Sequence, residues 1–312
     1  MSHAILPNKL KLVLKICLGI LFICSGILKL IDIDKFELYV YSYNFLTLGA
    51  SYVLARLLIA FEFLLGVALV VNLYNRYVLP LTMLTLVGFT LFLGYAVVLG
   101  RTDNCHCFGD YIKFNPTQSI IKNIIFMVVV LLCKGTPNFN FRLKWYVLTL
   151  CAIVPFVGVF ILSPPDNMVD YSVPIKNNVN EELLKDYIQP NGALDTLEID
   201  NGRKMVAFYS PNCKYCKLSA RKINTVQQRG DIPTENIITV FGGEKKNLDE
   251  FYKETETTPL QPIFLDVDLF LPLTLGRFPV VLLLEDGKVE HAFQYRSIDE
   301  DVIKDFFSVS NN

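Results

Sequence analysis

The feature that most constrains this chain is a series of long apolar runs confined to its first half. A helix that spans a bilayer needs roughly twenty apolar residues. Five runs meet or approach that length, at residues 10–31, 51–73, 77–99, 120–133 and 145–162. With 52% hydrophobic and only 19% charged residues, the chain is too apolar for a soluble protein of this size, so we predict a multi-pass α-helical membrane bundle. The fourth run is short, and we expect Lys122 near its start to reach toward the interface.

Charge divides the chain in the same place. Residues 1–163 contain 13 basic and 6 acidic side chains, whereas residues 164–312 contain 16 and 24. A basic apolar half followed by an acidic polar half is typical of a membrane domain joined to a water-soluble one. Neither half has the basic, aromatic-rich patch that nucleic-acid binding requires. The lipid bilayer is therefore an expected partner and nucleic acid is not.

The distribution of charge in the loops predicts the orientation. Lys9, Lys11 and Lys15 precede the first run, and the loops after the second and fourth runs are basic without acids. The loop after the first run instead contains Asp34 and Glu37. Because basic loops stay in the cytoplasm, we predict a cytoplasmic (inner) membrane protein with a cytoplasmic N-terminus. Residues 100–119 and 164–312 then lie on the periplasmic or outer side.

The second half alternates between strand and helix patterns. Strands are predicted at 204–209, 236–241, 279–284 and 289–293, and helices at 214–228, 246–256 and 299–307. The order β-α-β-α-β-β-α is that of an α/β thioredoxin-like fold. The predicted domains are a four-helix membrane domain, a linking transmembrane helix, a proline-containing tether with a short helix at 181–188, and the α/β domain. They cover residues 1–135, 136–163, 164–193 and 194–312.

Cys213-Lys-Tyr-Cys216 follows a predicted strand and opens a predicted helix. Unpaired N–H groups and the helix dipole stabilise a thiolate at that position, and Lys214 and Lys217 add positive charge. We therefore predict Cys213 as the attacking thiolate and Cys216 as the thiol that resolves the mixed disulfide. The alternatives are a structural disulfide or half of a zinc site. Zinc needs two further ligands, and His291 is the only histidine in this domain.

The Cys213–Cys216 segment and Arg277-Phe-Pro279-Val280 together resemble thioredoxin-like domains. In that family the proline before the third core strand is cis and packs against the active-site disulfide. The resemblance therefore assigns that position to Pro279. The first cysteine follows Ser210-Pro-Asn and lacks the preceding tryptophan common in thioredoxins. This difference leaves the redox potential and the choice of partner open.

A second cysteine pair lies in the predicted outer loop, at Cys105-His-Cys107. A disulfide between residues two apart closes a very small ring, which makes it strained, labile and oxidising. Such a pair can accept electrons from a thioredoxin-like domain. The alternatives are a loop staple that never turns over, or copper capture by Cys105, His106 and Cys107.

The segment Asn104-Cys-His-Cys-Phe-Gly109, followed by Lys122-Asn123, resembles the methylamine utilisation protein MauE family, part of the wider DoxX-like group. Two helix segments add to the resemblance, Ser25-Gly-Ile-Leu-Lys29-Leu-Ile and Glu62-Phe-Leu-Leu-Gly-Val-Ala-Leu69. It covers residues 10–135 and implies a role in disulfide formation or thiol maturation of exported proteins.

The overall layout is also similar to bacterial vitamin K epoxide reductase homologues, which have four helices, a linking fifth and an outer thioredoxin-like domain. That similarity is architectural only. It makes a quinone the candidate electron acceptor by analogy, and we expect no other cofactor and no bound metal.

Glu62 lies near the middle of the second run, and an ionisable residue at that depth is a functional candidate by default. Glu62 is a candidate carrier of the proton that accompanies thiol oxidation, with Arg56 about 9 Å nearer the outer end by helical rise. The alternative is a structural hydrogen bond to Ser25 or an ion pair with Lys29. These residues form the candidate intramembrane polar site.

The leading hypothesis is a membrane-bound thiol–disulfide oxidoreductase. Exported protein thiols reduce the Cys213/Cys216 pair, which reduces the Cys105/Cys107 pair, and electrons continue to a quinone. A second hypothesis reverses the flow and exports reducing equivalents through Cys17, Cys24 and Cys133. A third is a non-enzymatic maturation scaffold that tethers a thiol domain to the membrane.

Overall fold

The computed structural model describes residues 6–138, 144–190, 192–195, 199–230, 232–243, 245–255, 257 and 262–308. They form two compact units. Unit 1 comprises Met1–Val40 and Ala50–Pro165, and unit 2 comprises Tyr41–Gly49 and Asp166–Asn312. The predicted fold class is confirmed: a membrane helix bundle is followed by a thioredoxin-like α/β fold.

Each of the five apolar runs corresponds to a helix. These helices are α1 (Asn8–Ile31), α3 (Leu48–Val70), α4 (Asn75–Val98), α5 (Pro116–Leu132) and α6 (Lys144–Leu162). Among the described residues, α1, α3 and α4 are long and apolar enough to cross a membrane, while α5 and the 149–162 part of α6 are shorter apolar helices. A further helix, α2 (Ile33–Tyr41), and a short strand, β1 (Cys107–Asp110), were not predicted.

Helices α1 and α3 approach each other closely because glycines face one another where they cross. A Cβ atom added to Gly19 would lie 2.7 Å from the carbonyl oxygen of Gly66, and one added to Gly66 would lie 2.9 Å from that of Gly19. Such contacts are too short for any side chain. The buried Leu18 and Phe22 of α1 pack with Leu65 around this crossing.

Unit 2 is built on a five-stranded sheet in the order β4-β3-β2-β5-β6. The strands are β2 (Arg203–Tyr209), β3 (Ile237–Gly242), β4 (Ile263–Leu265), β5 (Val280–Glu285) and β6 (Lys288–Phe293). Strand β2 is central: it pairs parallel with β3 and antiparallel with β5. A tight turn at Asp286-Gly287 joins β5 to β6, with φ of 48° and 76° at its two residues.

Helices cover both faces of the sheet. These helices are α7 (Glu181–Ile188), α8 (Lys214–Arg229), α9 (Leu248–Thr255), α10 (Val267–Leu273) and α11 (Glu300–Ser308). Val206 and Phe208 of β2 belong to one apolar cluster with residues of α7 and α10. Tyr209 instead lines a small cavity with Ala220 and Ile223 of α8. Alternate residues of β2 therefore serve opposite faces.

Part of the segment interpreted from the sequence as a tether packs into the core of unit 2. Leu184 and Ile188 of α7 are buried in the main apolar cluster of unit 2, as is Val179 just before the helix. The physical reason is a spacing of four residues, which places both side chains on one face of α7. Two other elements of unit 2 lie outside the predictions, β4 and α10.

Candidate functional site

The first candidate centre lies where β2 gives way to α8. Cys213 is the N-cap residue of α8, with extended backbone at φ −83° and ψ 121°. The backbone N–H of Cys216 donates to the Sγ atom of Cys213 at 3.2 Å. The free N–H groups of the first helical turn are therefore directed at this sulfur, as the sequence predicts.

The pKa values of the two thiols of this pair are shifted in opposite directions. The side chain of Cys216 donates to Cys213, and together with the N–H groups of Cys216 and Tyr215 and the charge of Lys217 it lowers the pKa of Cys213 to about 6. Burial, followed by the interaction with Cys213, raises the pKa of the Cys216 thiol. At neutral pH, Cys213 is thus the thiolate and Cys216 the protonated, buried partner.

Pro279 lies beside the same centre. The Phe278–Pro279 peptide bond is cis, as the thioredoxin-like resemblance implies. The thiol of Cys213 approaches the carbonyl oxygen of Phe278 at 3.9 Å, and the N–H of Ser210 donates to the Sγ of Cys216 at 3.4 Å. The chain segments before α8 and before β5 therefore enclose the pair from two directions.

The second candidate centre is the loop that carries Cys105 and Cys107 in unit 1. Gly109 has a φ of 59°, and a Cβ atom there would lie 2.8 Å from the carbonyl oxygen of Leu28. Glycine thus lets the loop lie directly on the end of α1. On the other side, Asn115 caps α5 in a reciprocal capping box with Gln118.

The cysteine sulfurs of this loop lie 2.8 Å apart, and the Sγ of Cys105 also contacts the hydroxyl of Ser119 at 2.9 Å. The hydrogen bond from Cys105 lowers the pKa of Cys107, and the charges of Lys122 and Lys29 act in the same direction. The same hydrogen bond, followed by burial, raises the pKa of Cys105. Cys107 is therefore the more acidic thiol of this pair.

The structure brings Glu62 and Lys29 together in a buried ion pair. Ser25 connects this pair to the cysteine loop, since its hydroxyl lies 3.1 Å from Oε2 of Glu62 and 2.7 Å from the backbone oxygen of Cys107. Both local contacts considered from the sequence, with Ser25 and with Lys29, are present.

Arg56 has different partners. Its guanidinium group pairs with Glu37 at 2.7 Å. It also donates to the carbonyl oxygens of Ser163 and Pro164 at 2.7 and 3.0 Å. These contacts of Arg56 join α3 to α2 and to the residues that follow α6, and none of them is to Glu62.

A cavity of about 480 Å³ adjoins the second centre. Both cysteines line it, together with the Lys29–Glu62 pair and Lys122, while most of its wall is apolar. Its size falls within the range of small-molecule sites.

The surroundings of His106 and of the remaining cysteines bear on the copper-capture and electron-export alternatives. His106 packs edge-on against Tyr39, with ring centroids 5.6 Å apart. In the part of the chain that the structure describes, no group of three His, Cys, Asp or Glu side chains could hold a metal ion. Cys17 and Cys24 are exposed on α1, whereas Cys133 is buried and donates to the carbonyl oxygen of Lys11 at 3.4 Å.

The sequence interpretation missed the contact between Ser119 and Cys105. A signal for it was present: Asn115-Pro116 is typical of a helix start, and it places Ser119 in the first turn of α5. The pairing of Glu37 with Arg56 had no comparable signal, because Glu37 was assigned to a loop.

Comparison with known proteins agrees with the sequence resemblance. Residues 7–134 match the family model of the methylamine utilisation protein MauE, so the predicted resemblance is confirmed for the segment that contains the second centre. A protein from Flavobacterium psychrophilum named Protein TlpB is 29% identical over 294 residues, covering 78% of this chain and 79% of that protein. With its long apolar helices, this chain is a membrane protein.

Proposed function

We propose that this protein is a membrane-bound thiol–disulfide oxidoreductase that relays electrons between two cysteine pairs. The observation that carries the proposal is the position of Cys213: an N-cap thiol that accepts an N–H at 3.2 Å and lies beside the cis Phe278–Pro279 bond. A structural disulfide does not require a lowered thiol pKa, whereas an attacking thiolate does.

The chemistry proceeds by thiol–disulfide exchange. A dithiol of an exported protein reduces the Cys213–Cys216 disulfide and is itself oxidised. The Cys213 thiolate then attacks the Cys105–Cys107 disulfide, which breaks that bond and forms a mixed disulfide. Cys216 displaces it, so that Cys105 and Cys107 leave as thiols. Each exchange breaks one S–S bond and forms another, so electrons and atoms balance.

The electrons continue from Cys105 and Cys107 to a quinone. The cavity beside the two sulfurs supports this direction, because the sulfurs contact an apolar space within the helical unit.

The protein lies in the cytoplasmic membrane with its N-terminus in the cytoplasm and both cysteine pairs outside. A membrane-impermeant maleimide applied to intact cells should label Tyr111→Cys but not Arg76→Cys in a background lacking the paired cysteines. The opposite pattern would refute this orientation.

The relay is tested by trapping its intermediate. In a Cys216→Ser variant, Cys213 has no resolving partner, so a mixed disulfide between Cys213 and Cys105 or Cys107 should accumulate. Mass spectrometry of non-reduced digests identifies it. The matched control is Cys151→Ser, which removes a cysteine outside both pairs. Absence of the cross-linked peptide under oxidising turnover would contradict the relay.

The two other hypotheses give different results. Export of reducing equivalents requires Cys17, Cys24 and Cys133, so replacing all three with serine should abolish it but leave the relay intact. A non-enzymatic scaffold should function normally when Cys105 and Cys107 are both serine.

A further inference from the structure

Lys122 lowers the pKa of Cys107, and it also lines the cavity beside that thiol. Its Nζ atom lies 4.7 Å from the ring centroid of Phe108 and 5.8 Å from that of Phe126, facing the cavity beside Cys107. Within the described ranges of the chain, no carboxylate pairs with it. Lys29, the other lysine of the cavity, is neutralised by Glu62.

We propose that this cavity is the site where Cys105 and Cys107 deliver electrons to a quinone, and that Lys122 positions one of its carbonyl oxygens. The inference rests on the proposed function, which it extends by naming the acceptor site and a positioning residue.

The wall of the cavity fits a planar apolar ring. Aromatic side chains from several helices line it, among them Phe22, Phe61, Phe89 and Phe92. Aromatic rings pack favourably against one another in offset or edge-to-face geometry. A volume of about 480 Å³ accommodates a substituted ring of small-molecule size.

The cavity also reaches the outer surface of the helical unit. Leu21, Leu81 and Leu84 line it and are 39%, 38% and 67% exposed. In a membrane this surface contacts lipid, so a ligand enters from the bilayer. A lipid-soluble acceptor meets this requirement, whereas a water-soluble one does not.

Among the described residues, Lys122 has aromatic rings but no carboxylate beside its ammonium group, which fits the polar part of such a ligand. An ammonium group in an apolar cavity is costly unless a partner solvates it. A ring carbonyl accepts its hydrogen bond, and the negative charge that develops on that oxygen during reduction strengthens the interaction. Lys122 therefore favours the reduced state of the ligand as well as its placement beside Cys107.

The reaction balances without a further reactant. Two S–H bonds break and the Cys105–Cys107 S–S bond forms. The two electrons and two protons pass to the two carbonyl oxygens, and the ligand leaves as the hydroquinone.

The test uses the full chain in lipid nanodiscs, reduced and freed of reductant, then mixed anaerobically with ubiquinone-1. The ring of this quinone is fully substituted, which suppresses addition of free thiols. Hydroquinone formation is followed by ultraviolet absorbance. We expect Lys122→Met to raise the quinone concentration for half-maximal rate about tenfold, the loss of a hydrogen bond to a charged group.

A second variant blocks the cavity without touching its polar groups. Gly88 lines the cavity, and a Cβ atom there meets open space, so Gly88→Phe should fill the site and remove most of the quinone-dependent rate. Gly94 is on the same helix, its Cβ also meets open space and it does not line the cavity. Gly94→Phe is therefore the matched control and should behave as wild type.

Wild-type quinone dependence in both Lys122→Met and Gly88→Phe would overturn the inference, as would a reduced wild-type protein that forms no hydroquinone. If either result is found while the Cys216→Ser variant still accumulates the mixed disulfide of Cys213, the relay stands and only the acceptor site is refuted. If the reduced wild-type protein forms hydroquinone but the Cys216→Ser variant never accumulates a mixed disulfide with Cys213, the acceptor site stands and the relay is refuted.

Discussion

The thiols of Cys213 and Cys216 are three residues apart and yet differ strongly in acidity. Cys213 accepts hydrogen bonds at the open N-terminus of α8, whereas Cys216 is fully buried. The largest single cause of the lowered pKa of Cys213 is the thiol of Cys216 itself. The acidity of Cys213 therefore depends on its partner Cys216 and on its position at the N-terminus of the helix.

This dependence gives a prediction for the reduced protein. The rate at which iodoacetamide alkylates Cys213 should rise with pH through a midpoint near 6 and then level off, because only the thiolate reacts. Cys216→Ala removes the donating thiol and should move the midpoint upward, toward the value of about 8.5 for a free thiol. Cys216→Ser retains a hydroxyl donor and should stay closer to wild type.

Quantitative mass spectrometry of the Cys213 peptide measures these rates in a Cys105→Ser/Cys107→Ser background. A midpoint near 8.5 in the protein with an intact Cys213/Cys216 pair would contradict the role given to the helix terminus and to Cys216.

The Lys29–Glu62 pair gives a second prediction at this scale. Removing one partner leaves the other charge buried and uncompensated, at a cost of about 3 kcal/mol or more. Glu62→Gln and Lys29→Met should therefore each lower the thermal stability in nanodiscs more than the double variant does. Equal or additive losses would show that the two charges do not compensate each other.

The double variant also separates the two interpretations of Glu62. A proton-carrying carboxylate predicts slow oxidation of Cys105 and Cys107 in a stable double variant. A purely structural pair predicts a wild-type rate.

The placement of individual residues could be predicted from the sequence where it depended on short spacing. Cys213, Cys216 and Pro279 lie in local motifs, and the structure places them together. The partner of Arg56 was not readable, because Glu37 is nineteen residues away and on another helix. Contacts between helices depend on crossing angles and rotation, which hydropathy does not encode.

At the scale of elements, the α1–α3 crossing holds the polar site in place. Ser25 and Lys29 are on α1 and Glu62 is on α3, so their contacts depend on how closely the two helices approach. The glycines Gly19 and Gly66 permit that approach, since each lies within 3 Å of backbone atoms of the other helix once a Cβ is added.

We therefore expect Gly19→Ala to destabilise the protein and to weaken the Ser25–Glu62 contact, because the clashing atom is a backbone oxygen that cannot rotate away. Gly94→Ala adds the same methyl group where nothing lies within 4 Å and should be neutral. Thermal unfolding of the two variants in nanodiscs measures the difference, and equal stability would contradict close packing at the crossing.

The elements that the sequence did not predict share a physical cause. Helix α2 contains Asp34, Lys35 and Glu37, which break the apolar pattern that identifies a spanning segment. Strand β4 is only three residues long, and α10 contains Pro272. Short or proline-containing elements rely on tertiary contacts, and Phe270 and Leu273 of α10 are indeed buried in the core of unit 2.

At the scale of the whole molecule, the chain combines two units that each carry one cysteine pair. Unit 1 provides a pair beside a largely apolar cavity, unit 2 provides a pair at the N-terminus of α8, and each pair combines one buried and one partly exposed thiol. Hydropathy and charge predicted the two kinds of unit from the sequence. They could not predict that Tyr41–Gly49 groups with unit 2, since that depends on contacts remote in sequence such as Arg229 to Leu46.

The claim that electrons pass from the Cys213/Cys216 pair to the Cys105/Cys107 pair is tested most directly by the redox state of the first pair in living cells. Acid quenching followed by alkylation and mass spectrometry gives the reduced fraction of Cys213 and Cys216. In a Cys105→Ser/Cys107→Ser variant we expect this fraction to rise sharply, because the pair can no longer pass its electrons on. An unchanged, oxidised Cys213–Cys216 pair in that variant would contradict the relay.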